Sequence, residues 1–454
     1  MPSRASVVIL LVGLAVGQGV ATAQSAPSPD DETVARIAVA NLMAGRFDVV
    51  EQQFSKRMAA ALPAGELARV WQELRAKMGP FRSITGVQRS EQRGLHLIYV
   101  TCEFARGRLD FLFGIAPGKH IAAFRILQAG SGAPWKPPAY ADPKRFAERA
   151  VTVGKEPWAL PGTLTLPRGK GPFSAVVLVH GSGPQDEDET VGPNKDFKDL
   201  AWGLATRGIA VLRYTKRTHQ YGAQMKDLPD MTVKDEVIDD ARAAVALAAG
   251  TPGIDARRIY LAGHSLGGYL APRIAAGDRH IAGLIILAGP TRPLEDLLIE
   301  QLQYQASLTP NPPPELTKAI AAAEKAKREV EDPNLKPGTF VDLLGTTVPA
   351  SYFLDLRDYH PGQVAASLKI PMLILQGQRD SQVRRADFEG WQQALAGRHN
   401  ITFKSYPQLN HLFMAGSGPS TEAEYLKAGH VAAVVIGDIA SWVLQSTAEK
   451  PSGH

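Results

Sequence analysis

Apolar side chains recur at helical spacing through residues 31–78. Val34, Ile37, Ala38 and Leu42 form one stripe, and Leu67, Val70, Trp71 and Leu74 form another after Pro63. The spacing predicts two or three helices. From residue 81 to 127 the texture changes to short β-rich runs, such as 96–102 and 109–114, with turns at Arg93-Gly94, Arg106-Gly107 and Pro117-Gly118. Helices followed by hairpins predict a small α+β domain over residues 30–127. Residues 128–147, rich in Gly, Ser, Ala and Pro, read as a linker.

Beyond the linker, residues 149–153 and 160–166 suggest an opening hairpin, after which strand-like and helix-like stretches alternate. The expected strands are 175–179, 209–213, 259–262, 281–287, 372–376 and 401–406. Their Val, Ile and Leu content lacks strict alternation, as in a parallel sheet covered on both faces. The clearest helical stretch is 232–249, where Thr232 and Asp235 have capping-box spacing. This predicts an α/β domain over residues 148–446. Residues 290–368 break the rhythm with helical patches, the Pro-rich joint 310–314, the pair Tyr352-Phe353 and no convincing strand. An insertion of that length between sheet strands is expected to be a cap over the functional edge.

Composition narrows the class. The chain has 454 residues, is 44% hydrophobic and carries a formal net charge of +5 with acids and bases interspersed. That is ordinary globular composition with no nucleic-acid footprint. The start reads Met1-Pro2-Ser3-Arg4, then an apolar run from Val7 to Val16, then Ala21-Thr22-Ala23. A charged end, a short apolar segment and a small-x-small site predict a signal peptide over 1–23. The expected location is therefore periplasmic or secreted, without stable membrane insertion once the signal is removed. Cys102, the single cysteine, has no partner and is expected to be a buried small hydrophobe.

The chemistry centres on Gly263-His264-Ser265-Leu266-Gly267, placed between an apolar run and a small-residue helical stretch. A strand-to-helix turn this sharp strains its central residue and excludes bulk at the flanking positions, which makes Ser265 a candidate nucleophile. A serine needs an imidazole to accept its proton and a carboxylate to orient that imidazole. Asp380 follows the run 372–376 and His411 follows the run 401–406, in the chain order such a sheet requires. Among the alternatives, His399 precedes its strand and His430 reads as part of the terminal helix. Asp355 and Asp358 fall in the expected cap, and Asp387 reads as helical.

The loop His180-Gly181-Ser182-Gly183-Pro184 sits where oxyanion donors belong, so the backbone N–H groups of Ser182 and Leu266 are the expected pair. As a phosphate cradle the loop fails, because no Gly-Lys-Ser/Thr follows. The acidic run 186–189 reads as a solvated loop rather than a metal site, and no zinc-type ligand spacing occurs. Candidate substrate-binding side chains are His264, Tyr214, Tyr352 and Phe353. Lys216 and Arg217 fit the pocket edge or a structural role.

Residues 148–444 resemble the α/β-hydrolase superfamily. The stretch from His180-Gly-Ser-Gly-Pro184 through Asp199-Leu-Ala-Trp-Gly-Leu-Ala205 to Val211-Leu-Arg-Tyr214 is similar to bacterial serine esterases of the carboxylesterase and feruloyl-esterase kind. Ala61-Leu-Pro63, Trp71, Gly79, Ile84-Thr-Gly-Val87 and Val100-Thr-Cys-Glu-Phe104 resemble a small domain of uncharacterised function that precedes such esterases. The resemblance implies the same triad and the same oxyanion donors. It also implies cleavage of carboxylic esters of small to medium acyl chains through an acyl-enzyme on Ser265. Thr215 and Glu187 stand where Asp and Arg are expected. No cofactor is implied; the expected partner is a small-molecule ester, and homo-oligomerisation is left open. Thioesterase, acyltransferase and peptidase activities use the same machinery, and a binding protein on a hydrolase scaffold is the non-enzymatic alternative.

Overall fold

The computed structural model describes residues 29–62, 65–92, 95–116, 118–128, 135–225, 228–425 and 427–445. The expected signal peptide, the Arg93-Gly94 turn, Pro117 and linker residues 129–134 lie outside them. The chain divides into two compact units. One is Met1–Lys136 with Val191–Asn194 and Glu422–Ala428; the other is Pro137–Thr190 with Lys195–Thr421 and Gly429–His454.

In the first unit the helices Pro29–Met43, Phe47–Glu51, Lys56–Ala61 and Glu66–Met78 precede four strands. Ser55 caps the third helix, its hydroxyl accepting the Met58 N–H at 3.2 Å. Strands β1 (Phe81–Gln92), β2 (Leu95–Phe104), β3 (Gly107–Ile115) and β4 (Ile121–Gln128) pair antiparallel in chain order. Trp71 brings the fourth helix onto this sheet, its ring 6.4 Å from Phe104 and 5.9 Å from Phe111 between centroids. Cys102 is fully buried in the same core, and burial pushes its thiol up to about 12.

The second unit is built on eight strands: β5 (Phe146–Val153), β6 (Leu160–Pro167), β7 (Phe173–Val179), β8 (Ala210–Tyr214), β9 (Ile254–His264), β10 (Ile281–Leu287), β11 (Met372–Gly377) and β12 (Ile401–Tyr406). Their spatial order is β12-β11-β10-β9-β7-β8-β6-β5. β7 to β12 run parallel, and the β5–β6 hairpin closes one edge antiparallel. Successive residues of β7 feed opposite cores: Val177 and Val179 pack with the helix Leu266–Ala276, and Val176 and Leu178 pack with Phe197, Leu200 and Val435. Burial on both faces explains the unbroken apolar runs.

The stretch 232–249 is a π-helical turn, Lys234–Ile238, running into the helix Asp239–Ala249. Thr232 and Asp235 form the expected cap, with Asp235 Oδ2 accepting the Thr232 N–H at 2.9 Å and its hydroxyl at 2.8 Å.

The insertion between β10 and β11 holds helices Leu294–Ser307, Pro314–Glu331, Ala350–Leu356 and Pro361–Ser367. It also holds a hairpin, Phe340–Leu343 paired with Thr346–Pro349, which corrects the expectation of no strand there. Its two-residue turn puts Leu344 at φ 56° and Gly345 at φ 83°, with the Asp342 carboxylate accepting the Gly345 N–H at 2.7 Å. Leu is an unusual first residue for such a turn, so the usual Asn-Gly or Asp-Gly signal is missing.

Phe104 is 1% exposed and touches Trp71, Phe81 and Phe111. Phe104→Ala is expected to cost the first unit roughly 3–5 kcal/mol. Hydrogen exchange in β1 to β4 should accelerate correspondingly; unchanged protection would show that this aromatic cluster does not hold the sheet.

Candidate active site

β9 ends at His264 and the next helix begins at Leu266, so Ser265 alone makes the turn, at φ 51° and ψ −115°. A non-glycine residue holds such dihedrals only when its surroundings over-determine them. Here they do. A Cβ on Gly263 would stand 2.2 Å from Gly267 O, and one on Gly267 would stand 2.2 Å from Val179 O. From Ile259 to Pro272 every residue is buried except Ser265. The Ser265 N–H donates to Leu287 O at 2.9 Å and its carbonyl accepts the Tyr269 N–H at 2.9 Å, so the backbone is pinned and the hydroxyl presented. The Leu266 N–H, in the first turn of the helix, has no intrahelical acceptor.

Strand register brings the other groups to the same rim. Gly263 pairs with Val179, His264 with Leu287, Leu287 with Leu375, and Gly377 with Tyr406. The residues just past those positions are the loop at Gly181, Ser265, the loop bearing Asp380 and the loop bearing His411. Gly377 packs so closely on that last loop that a Cβ would stand 2.4 Å from Leu409 O.

Asp380 and His411 are both buried and meet with Nδ1 2.8 Å from Oδ2. The carboxylate also accepts from Gln376 Nε2 at 3.0 Å and from the Gln382 and Val383 N–H groups at 2.8 and 2.9 Å. These bonds fix its orientation. Nδ1 is thereby engaged, which leaves His411 Nε2 as the ring atom available for a proton from elsewhere. The Asn410 side chain holds the loop by accepting the Leu412 and Met414 N–H groups, each at 3.1 Å.

Of the alternative acids and bases, Asp355, Asp387 and His430 are paired elsewhere, and Asp358 and His399 are exposed. Asp355 pairs with Arg273 at 2.7 Å and Asp387 with Arg292 at 2.7 Å. His399 is exposed in the turn before β12. His430 precedes the helix Ala433–Gln445 instead of lying within it, and its Nδ1 meets Asp199 at 3.1 Å.

Ser182 is exposed beside Gly181, and a Cβ on Gly181 would stand 3.2 Å from Ser265 Cβ. The loop is thus adjacent to the elbow. Its neutral neighbour His180, lowered to about 4 by burial, donates Nε2–H to Asp186 O at 3.0 Å.

The acidic run 186–189 is not a solvated loop. Asp188 and Glu189 are buried, because cations and N–H groups await them. Asp188 pairs with Lys195 and Arg213, each at 2.8 Å. Glu189 accepts the Gly181 N–H at 2.6 Å and faces His264 Nδ1 at 3.1 Å. Glu187 accepts the Thr163 hydroxyl at 3.0 Å. Among the described residues no group of three or more His, Cys, Asp or Glu is arranged to hold a metal ion.

The substrate-binding candidates are all buried. Tyr214 lies in the core against the His180 ring at 5.3 Å. Phe353 packs with Ala326, Val330 and Val341 inside the insertion. The Tyr352 hydroxyl donates to Glu236 at 2.7 Å. His264 places Nε2 3.1 Å from His411 O, with the two rings 4.7 Å apart. These contacts tie His264 to the loop bearing His411. Sequence reasoning missed Glu189, Glu236 and Gln376; no motif marks them, and only their burial next to the rim reveals them.

Both partners of the His264 ring are acceptors, so the ring carries both protons. Burial, the largest single influence, would lower its pKa, but the charge and hydrogen bond of Glu189, the Asp196 carboxyl and the hydrogen bond to His411 O together outweigh it and raise His264 to about 9. Burial, opposed less strongly by His264, pushes Asp196 well above the usual carboxylate range, with the Glu189 charge adding to the rise. Below the ordinary histidine value of 6.5 His264 is protonated in both folded and unfolded chains, and the Glu189 pair contributes in full. Between 6.5 and about 9 only the folded chain keeps the proton, so stability falls as pH rises, and above about 9 the contribution is gone. Unfolding free energies from urea titrations should decline across this range by on the order of 1 kcal/mol per pH unit more in the wild type than in His264→Gln. Equal slopes in the two proteins would sink the assignment of the titrating group.

Comparison with known proteins agrees with this architecture. Residues 176–426 match the model of the alpha/beta hydrolase family, and residues 35–124 match a family described as a protein of unknown function (DUF3887). The chain is 40% identical over 407 residues to Esterase EstD of Thermotoga maritima, covering 90% of this chain and 94% of that protein. Among solved structures, Est1E from Butyrivibrio proteoclasticus is similar at 18% identity and a TM-score of 0.43, covering 66% of this chain and 99% of that one. An esterase of Pyrococcus furiosus is similar at 16% identity and a TM-score of 0.44, covering 69% and 98%. With a family match over more than half its length and a relative aligned nearly end to end, this chain belongs to the alpha/beta hydrolase family.

Proposed function

We propose that this protein is a serine carboxylesterase that cleaves esters of small to medium acyl chains through an acyl-enzyme on Ser265. The observation that carries the reading is a strained, half-buried serine at the elbow after β9 together with a buried Asp380–His411 pair, Nδ1 2.8 Å from Oδ2, on a loop that His264, the residue before the serine, contacts at His411 O. The 40% identical relative named as an esterase supports the ester as substrate class.

In this mechanism Ser265 Oγ attacks the ester carbonyl while His411 Nε2 takes its proton. Catalytic pairs of this kind are often loose without substrate and tighten in the complex. The resulting oxyanion is held by the N–H groups of Ser182 and Leu266, each worth about 3 kcal/mol in comparable sites. As the tetrahedral intermediate collapses, the imidazolium returns the proton to the departing alcohol. Water then enters, His411 takes its proton, and a second intermediate releases the acid and restores Ser265. Asp380 holds the imidazole in the required tautomer and stabilises it when charged. Every proton is carried by the chain's own groups, so the cycle needs no metal or organic cofactor.

The N-terminal pattern supports a further proposal, export with cleavage after Ala23. None of the described helices is long and apolar enough to cross a membrane.

Ser265→Ala is expected to lower kcat on p-nitrophenyl acetate and butyrate by more than about 10⁴-fold, with far-UV circular dichroism and Tm unchanged. Full turnover by that folded variant would overturn the nucleophile. For export, N-terminal sequencing of the extracytoplasmic protein should begin at Gln24; an intact Met1 in that fraction would refute cleavage there.

A further inference from the structure

The peptide joining Gly181 to Ser182 is gripped from behind by a buried cation. Lys216 Nζ donates to Gly181 O at 2.9 Å, while the Gly181 N–H is tied to Glu189 at 2.6 Å. In a trans peptide the carbonyl and the following N–H point in opposite directions. A donor fixed on Gly181 O therefore aims the Ser182 N–H away from Lys216, and Gly181 itself packs against Ser265. The ammonium also polarises the peptide it touches, which makes the Ser182 N–H a stronger donor.

Lys216 is 2% exposed. Its charge is balanced by Glu236 Oε1 at 2.8 Å, and Glu236 Oε2 accepts the Tyr352 hydroxyl at 2.7 Å. Packing alone would not select a lysine here, since a hydrophobe of similar length would avoid the desolvation of two charges. Tyr352 lies on the helix Ala350–Leu356, within the insertion between β10 and β11. Three buried polar side chains from three separate segments thus run in series from the insertion to the loop beside the nucleophile.

We infer that Lys216 is a positioning residue for the Ser182 oxyanion donor, and that the series Lys216–Glu236–Tyr352 couples this donor to the insertion. The inference rests on the proposed roles of Ser265 and Ser182. Lys216 touches no reacting atom; it acts by holding one peptide plane. A shift of the Ala350–Leu356 helix, such as a bulky acyl group would impose from the insertion side, is transmitted to the donor through two hydrogen bonds and one ion pair.

The test compares wild type, Lys216→Met, Tyr352→Phe and their double variant on p-nitrophenyl butyrate and on its thionoester, whose sulfur is a poor acceptor for oxyanion donors. Lys216→Met should lower kcat on the oxoester by about 10–100-fold with KM within about threefold. It should lower kcat on the thionoester much less. Tyr352→Phe should give a smaller loss, and the double variant should be no slower than Lys216→Met alone, because the two act in series. An equal penalty on both esters, or additive losses in the double variant, would overturn the inference. Should Lys216→Met fail to fold, Glu236→Gln takes its place, with the same oxoester bias expected and its absence fatal. Fluorophosphonate labelling separates this failure from that of the parent reading. A wild type unlabelled at Ser265 defeats the nucleophile itself; a labelled Ser265 with unimpaired Lys216→Met turnover defeats only the role of Lys216.

Discussion

A turn between a parallel strand and the helix packed on it must be made within one residue here, and that residue must face outward from an otherwise buried segment. Ser265 meets this demand at φ 51° only because its neighbours lack side chains where Val179 O, Gly267 O and the Gly289 backbone approach. Van der Waals contact, not any local preference of serine, holds the strain in place. The sheet supplies the resistance, since the Ser265 N–H is tied to the last residue of β10. All the remaining groups of the candidate site are positioned relative to that turn, each one loop beyond another strand of the same sheet.

Beneath the rim lies a layer of buried charges that keep the loops rigid. Glu189 binds the Gly181 N–H and the His264 cation, and His264 in turn holds the carbonyl of His411. The loops carrying the proposed donor and the proposed base are thus linked through one carboxylate and one imidazolium. On the opposite side of the same loop, Lys216 and Glu236 connect the donor peptide to the insertion. Arg213, buried on β8, draws Asp188 inward and meets Glu148 at 2.8 Å. Charges so deeply placed are costly to leave alone and strong when paired, so they favour one arrangement of the loops over others.

Much of this was legible in the order of residues. The strands β7 to β11 announced themselves as runs rich in Val, Ile and Leu, because a strand covered on both faces has no reason to alternate, while the edge strand β12 is more polar and only half-buried. Gly263 and Gly267 marked the elbow, since close backbone approach leaves no room for another residue. Asp380 and His411 stood out because each follows a strand run directly. What the chain did not disclose has equally physical causes. Leu344-Gly345 makes a hairpin turn without the usual residue at its first position. Asp188 and Glu189 look like solvent-facing acids until the fold brings Arg213 and His264 against them from other strands, with Lys195 closing on Asp188 from the adjoining loop. Tyr214 and Phe353, aromatic and near the expected site, are core residues because their strand or helix turns them inward.

Local pattern thus decided which segments become strands and helices, which turn carries the serine and in what order its partners follow, because backbone sterics and burial periodicity act over a few residues. Pairing of charge with charge acts across tens of residues, as between Asp188 and Arg213 or Glu189 and His264. Whether an acid is solvated or buried, whether a histidine is neutral like His180 or cationic like His264, and which lysine grips the loop beside Ser265 depend on groups brought together only when the sheet closes.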